Sequence, residues 1–70
     1  MIKVRRRFKK FDTDISTDMK QYNDILNDPL CTIVDKVVEK EKVQEYNDRG
    51  NLIRQKDIIY FLIHWEEKIL

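Results

Sequence analysis

The sequence predicts an α+β fold: a three-stranded antiparallel sheet in the order strand, helix, strand, strand, with the last strand central and one amphipathic helix on one face. Three observations carry that expectation. Period-two alternation runs from Ile2 to Phe8, apolar positions recur at helical spacing from Ile15 to Leu26, and two β-rich segments flank Asn47-Asp48-Arg49-Gly50-Asn51.

Ile2, Val4, Arg6 and Phe8 fall on one side of the first segment and Lys3, Arg5 and Arg7 on the other, so the first element is a strand. Thr13, Asp14, Ser16 and Thr17 then offer capping oxygens, and Ile15, Met19, Tyr22, Ile25 and Leu26 mark one face of a helix that runs through Asn27. Asn27-Asp28-Pro29 ends it, because proline lacks the amide proton and biases the residue before it away from helical angles. Cys31 to Val38 is rich in β-branched residues, and Leu52 to Trp65 reads as a long strand containing Ile58-Ile59-Tyr60-Phe61-Leu62-Ile63. The turn signal between them joins the two as a hairpin.

Charge fixes the parity of that hairpin. Residues directly opposite in an antiparallel pair share a face, and like charges there are unfavourable. If odd positions of the outgoing strand face even positions of the return, Glu39, Glu41 and Glu45 share a face with Arg54 and Lys56, while Lys40 and Lys42 share the other with Asp57. The opposite parity sets glutamates beside Asp57 and lysines beside Arg54 and Lys56. The chosen parity puts Ile33, Val37, Leu52, Ile58, Tyr60, Leu62 and His64 on one face, and Val34, Val38, Ile53, Ile59, Phe61, Ile63 and Trp65 on the other. An apolar run on both faces suits a central strand, but a single helix covers only one face.

Length and composition bound the rest. Seventy residues make one domain, residues 1 to 70, since a chain of this size draws too little from one core to divide it. The apolar fraction of 41%, with nine Ile and five Val, separates the chain from disordered tails. Residues 1 to 10 carry six positive charges and no negative ones, and residues 11 to 35 carry six Asp and one Lys. The two blocks nearly cancel, leaving a net charge of +1. No apolar run is long enough to cross a membrane as a helix and no signal-peptide core follows the basic segment, so the expected setting is cytoplasmic, away from membranes.

Few residue groups suggest chemistry. His64 is the one candidate general acid or base and Cys31 the one candidate thiol nucleophile, with no third group positioned beside them. One Cys and one His fall short of a zinc site, one Gly does not build a phosphate loop, and Asp12, Asp14 and Asp18 lack the glycine and closing Glu of a calcium loop. The chain is therefore read as a non-enzymatic accessory or interaction module without a cofactor. It acts through an uncovered apolar sheet face, with Ile59, Phe61, Ile63 and Trp65 as the expected partner interface and a homodimer or another protein as the expected partner. The alternative is nucleic-acid binding by the first strand, with Lys3, Arg5, Arg7 and Lys9 on phosphate.

A basic-apolar first strand, an acidic helix and a closing hairpin whose last strand contains Ile59-Tyr60-Phe61-Leu62-Ile63 resemble, in outline, small uncharacterised proteins of sporulating low-GC bacteria and their phages. The resemblance spans most of the chain without a diagnostic motif. It implies a bacterial or phage cytosolic setting and no particular activity, and it carries over no site residues.

Overall fold

The computed structural model describes residues 2–69 and has the expected element order. Strand β1 (Lys3–Asp12) leads into helix α1 (Ser16–Asn27), followed by strands β2 (Cys31–Tyr46) and β3 (Leu52–Ile69). The sheet runs β1-β3-β2, with both pairs antiparallel. β3 is central, which explains its unbroken apolar stretch: next to two strands, it has both faces to cover.

The parity read from charge holds from Asp35 onward. Glu45 lies opposite Arg54 at 2.8 Å, Lys42 opposite Asp57, and Lys40 reaches Asp57 diagonally at 3.3 Å. Before Asp35 the register shifts at Val34, and Ile33 pairs with Trp65. This bulge corrects the expected placement of Ile33. One extra residue inverts the alternation, so Ile33 and Cys31 turn toward the helix and pack against the core. A second shift between Glu45 and Tyr46 brings Tyr46 opposite Leu52 next to the turn. There Asn47 Oδ1 accepts from the amides of Arg49 and Asn51, and Gly50 takes a φ of +81°, a conformation that glycine adopts without strain.

The helix is placed as expected, but its start differs. Ile15 is the N-cap and no side chain caps the first turn. Two of the residues expected to do so, Thr13 and Asp14, serve the strand–helix junction instead, joined there by Asp18. Thr13 Oγ1 donates to the carbonyl of Ile59 at 2.7 Å, Asp14 pairs with Lys56 at 2.8 Å, and Asp18 Oδ2 accepts from the amide of Asp12. Beyond the helix, the Asp28 carboxylate accepts from the amide of Leu30, turning the chain at Pro29 into β2.

The core consists of Phe11, Tyr22, Ile25, Ile63 and Trp65. Phe11 is fully buried, edge-on to Tyr22 at 5.8 Å between ring centroids and tilted against Trp65 at 6.0 Å. Met19, Cys31, Ile33 and Phe61 surround this cluster. All of it lies between α1 and one face of the sheet. The molecule is long, 61 × 17 × 17 Å with a radius of gyration of 16.8 Å, where a compact chain of this length comes to about 11 Å. The length comes from the hairpin: β1 pairs with β3 only from Tyr60 to Ile69, so the part nearer the turn projects as a two-stranded ribbon.

Candidate functional site: the open face of the sheet

The register assigns each side chain to a face. Phe11, Phe61, Ile63 and Trp65 point toward the helix, so Phe8, Leu62 and His64, one residue out of phase, point away from it. This corrects the expected interface. Trp65 and Ile63 are 4% and 3% exposed beneath α1, Phe61 is half-buried against Tyr22, and only Ile59, beyond the helix, is exposed. The helix settles on their face because Phe11, directly across from Phe61, supplies the aromatic that Tyr22 packs on. The opposite face has no helix over it, and on the helix side Val38, Ile53 and Ile59 stay exposed beyond the helix.

On that open face, β1 contributes Val4, Arg6, Phe8 and Lys10, β3 contributes Tyr60, Leu62 and His64, and β2 contributes Asp35, Val37 and Glu39. Phe8 is 72% exposed and stacks on His64, its cross-strand neighbour, with ring centroids 4.1 Å apart and planes 19° apart. His64 Nε2 is buried and has no hydrogen-bond partner among the described residues. Together with Lys10, Asp35, Val37 and Leu62, the two rings line a shallow depression of about 360 Å3. Lys10 stands at its rim, 3.3 Å from Glu41 and 4.2 Å above the ring of Tyr60. The hydrogen bond to Glu41 holds the Lys10 ammonium above its ordinary pKa, and loss of water around Tyr60 pushes its phenol up.

Charge is sorted by strand. From Asp35 on, β2 presents only carboxylates among its charged residues on the open face (Asp35, Glu39, Glu41, Glu45), and only lysines on the helix side (Lys36, Lys40, Lys42). The open face of β1 carries Arg6 and Lys10, with Asp12 at its end. Antiparallel pairing of β2 with a copy of itself sets same-face residues opposite one another, so wherever two charges meet within this stretch they are alike, and no register forms an opposite-charge pair. On its helix side β1 carries only cations among its charged residues (Lys3, Arg5, Arg7, Lys9), so charges meeting there across a self-pair are alike. Both outer edges of the sheet are thereby guarded against self-pairing.

The residues considered for nucleic-acid binding lie on the helix side of β1. Arg7 pairs with Glu67 at 3.7 Å, and Lys9 lies 3.6 Å from Asp18, donates to Gln21 and covers the ring of Phe11. Arg5 stands opposite Glu67, and Lys3 opposite Ile69. Cys31 and His64 are on opposite faces, so the sheet separates them. Burial, and then a hydrogen bond to Asp28, push the Cys31 thiol up, away from the thiolate that a nucleophile requires. Among the described residues no group of three or more potential ligands could hold a metal ion, and no helix is long and apolar enough to cross a membrane.

Phe8, Leu62 and His64 are not among the residues expected at an interface, His64 being weighed only as an acid or base, although the alternation of β1 already sets Phe8 apart from Lys3, Arg5 and Arg7. Compared with protein-family models, with curated proteins and with solved structures, the chain matches none of them.

Proposed function

We propose that the chain is a non-enzymatic interaction module that self-associates through the open face of its sheet, pairing the Phe8, Val37, Tyr60, Leu62 and His64 surface with that of a second copy. The observation that carries this reading is Phe8 stacked on His64, a large aromatic held in a fixed pose yet 72% exposed. Large apolar side chains grouped on one face of a small protein mark a contact site more often than a bare surface. Charge on β1 and β2 disfavours association edge to edge and leaves the face as the contact. The single thiol suits a reducing, cytoplasmic compartment.

Nucleic-acid binding by β1 has less support, since Arg7 and Lys9 already face the carboxylates of Glu67 and Asp18. Thermal melts across a hundredfold dilution test the proposal. Association removes folded chain from the unfolding equilibrium, so the midpoint falls on dilution if the face is buried between copies. An invariant midpoint, with no uptake of a hydrophobic dye, would leave neither a self-partner nor an open patch.

A further inference from the structure

The depression on the open face carries an unbalanced negative charge, and that decides what it can hold. We propose that it is a binding site for a small organic cation, a protonated amine attached to a flat apolar body. The site lies within one chain and does not depend on self-association. Where the chain does self-associate, the cation and the second copy compete for the same surface.

Two cross-strand rows shape the depression. Phe8, His64 and Asp35 form one and Lys10, Leu62 and Val37 the next, each running over β1, β3 and β2 in turn. They border about 360 Å3, at the lower end of the range for small-molecule sites. The cations beside it are already engaged. Lys10 lies 3.3 Å from Glu41 and over the ring of Tyr60, and Lys9 borders the depression from a strand whose other side carries its ammonium to Asp18. Asp35 lines the depression, and its Oδ1 accepts from the amide of Lys36. Among the described residues no cation lies within ion-pairing distance of Asp35, or of Glu39 beyond Val37 on the same face. An anion entering here meets carboxylates with no free cation to receive it. A neutral apolar molecule strips water from Asp35 and gives nothing back. A cation supplies the missing partner, donating to Asp35 while its apolar body rests on Val37 and Leu62. The Phe8 ring, 72% exposed, offers its electron-rich face to the same charge.

Phenethylammonium and phenylacetate, similar in size and opposite in charge, are the probes. Each is titrated through the millimolar range at constant ionic strength and neutral pH, and backbone amide shifts are followed by NMR. The chain is kept at a dilution where sedimentation gives the mass of one chain, so that a failure to bind is not mistaken for cover by a second copy. The ammonium is expected to move the amides of Phe8, Val37, Leu62 and His64 along a saturating curve and to leave those of α1 in place, while phenylacetate moves neither set. Asp35→Asn keeps the oxygen that accepts from Lys36 but loses the charge, and it weakens the ammonium at least about threefold. Asp35→Lys reverses the preference in favour of phenylacetate, a second readout should Asp35→Asn fail to fold. Equal affinity for the two probes, ammonium binding that ignores Asp35→Asn, or no saturating shift on this face overturns the site. The self-association proposed above is judged separately, by mass at higher concentration without probe.

Discussion

At the scale of single residues, three positions decide different things. Among the described residues Phe11 is the one side chain fully enclosed, touching Tyr22 and Trp65 together, so Phe11→Ala removes the centre of a five-residue core. The expected loss is about 3–5 kcal/mol in urea unfolding, enough to unfold most of a chain this small. Gly50 has open space where a Cβ would go, so Gly50→Ala isolates the strain of φ +81° and lowers stability by about 1 kcal/mol without a steric clash. His64→Phe keeps a ring under Phe8 while removing the unpartnered Nε2, and stability rises by about 1 kcal/mol. A fall would mean that Nε2 is hydrogen-bonded in solution. The resolved pKa shifts give a fourth expectation. Cys31 and Tyr60 are raised, chiefly by burial, and Lys10 and Lys56 are raised, chiefly by hydrogen bonds to Glu41 and Asp14. All four bind their proton more tightly in the folded chain, so stability is fully present below their unfolded pKa values and declines as pH rises from about 9 to 11. A urea midpoint that stays level across that window would contradict these assignments.

At the scale of elements, β2 and β3 fall into two parts. Between Cys31 and Val38 they are backed by β1 and α1, whereas nearer the turn they form a bare ribbon, of a kind that is marginal alone in water. Hydrogen exchange should therefore run faster from Lys42 to Lys56 than from Phe61 to Trp65, and equal protection would show that the ribbon is covered by something. Much of this was legible in the sequence. Alternating glutamates and lysines in β2, set against Arg54, Lys56 and Asp57, determine the hairpin parity, because like charges on one face are disfavoured in the wrong parity. The bulge at Val34 was not legible, since β-branched residues fill both sides of Cys31 to Val38 and either alternation satisfies them. Nor was the covered face. β1 carries an aromatic on each side, Phe8 and Phe11, and Phe11 prevails only once the Thr13 to Ile15 junction brings α1 across the Phe61 side. The expected interface followed the two aromatics that share a face of the last strand, Phe61 and Trp65, and that is the face on which α1 packs.

At the scale of the whole molecule, one helix and three strands cannot cover two apolar sheet faces, and the chain covers the part of one face that lies under α1. The rest of its form follows: an elongated body 61 Å long, edges lined with like charges, and an aromatic pair on the exposed side. Seventy residues leave a thin margin between burial and conformational entropy, so burying the second face between copies also raises stability. The most direct measurement is sedimentation equilibrium of the unaltered chain beside Phe8→Ser/Leu62→Ser, at matched concentrations through the micromolar range. Both substitutions lie outside the helix-side core, so the altered chain keeps its fold. The expected result is a mass approaching twice 8.6 kDa for the unaltered chain and a mass of 8.6 kDa for the variant. Equal masses for the two, whether both monomeric or both dimeric, would contradict self-association through the open face.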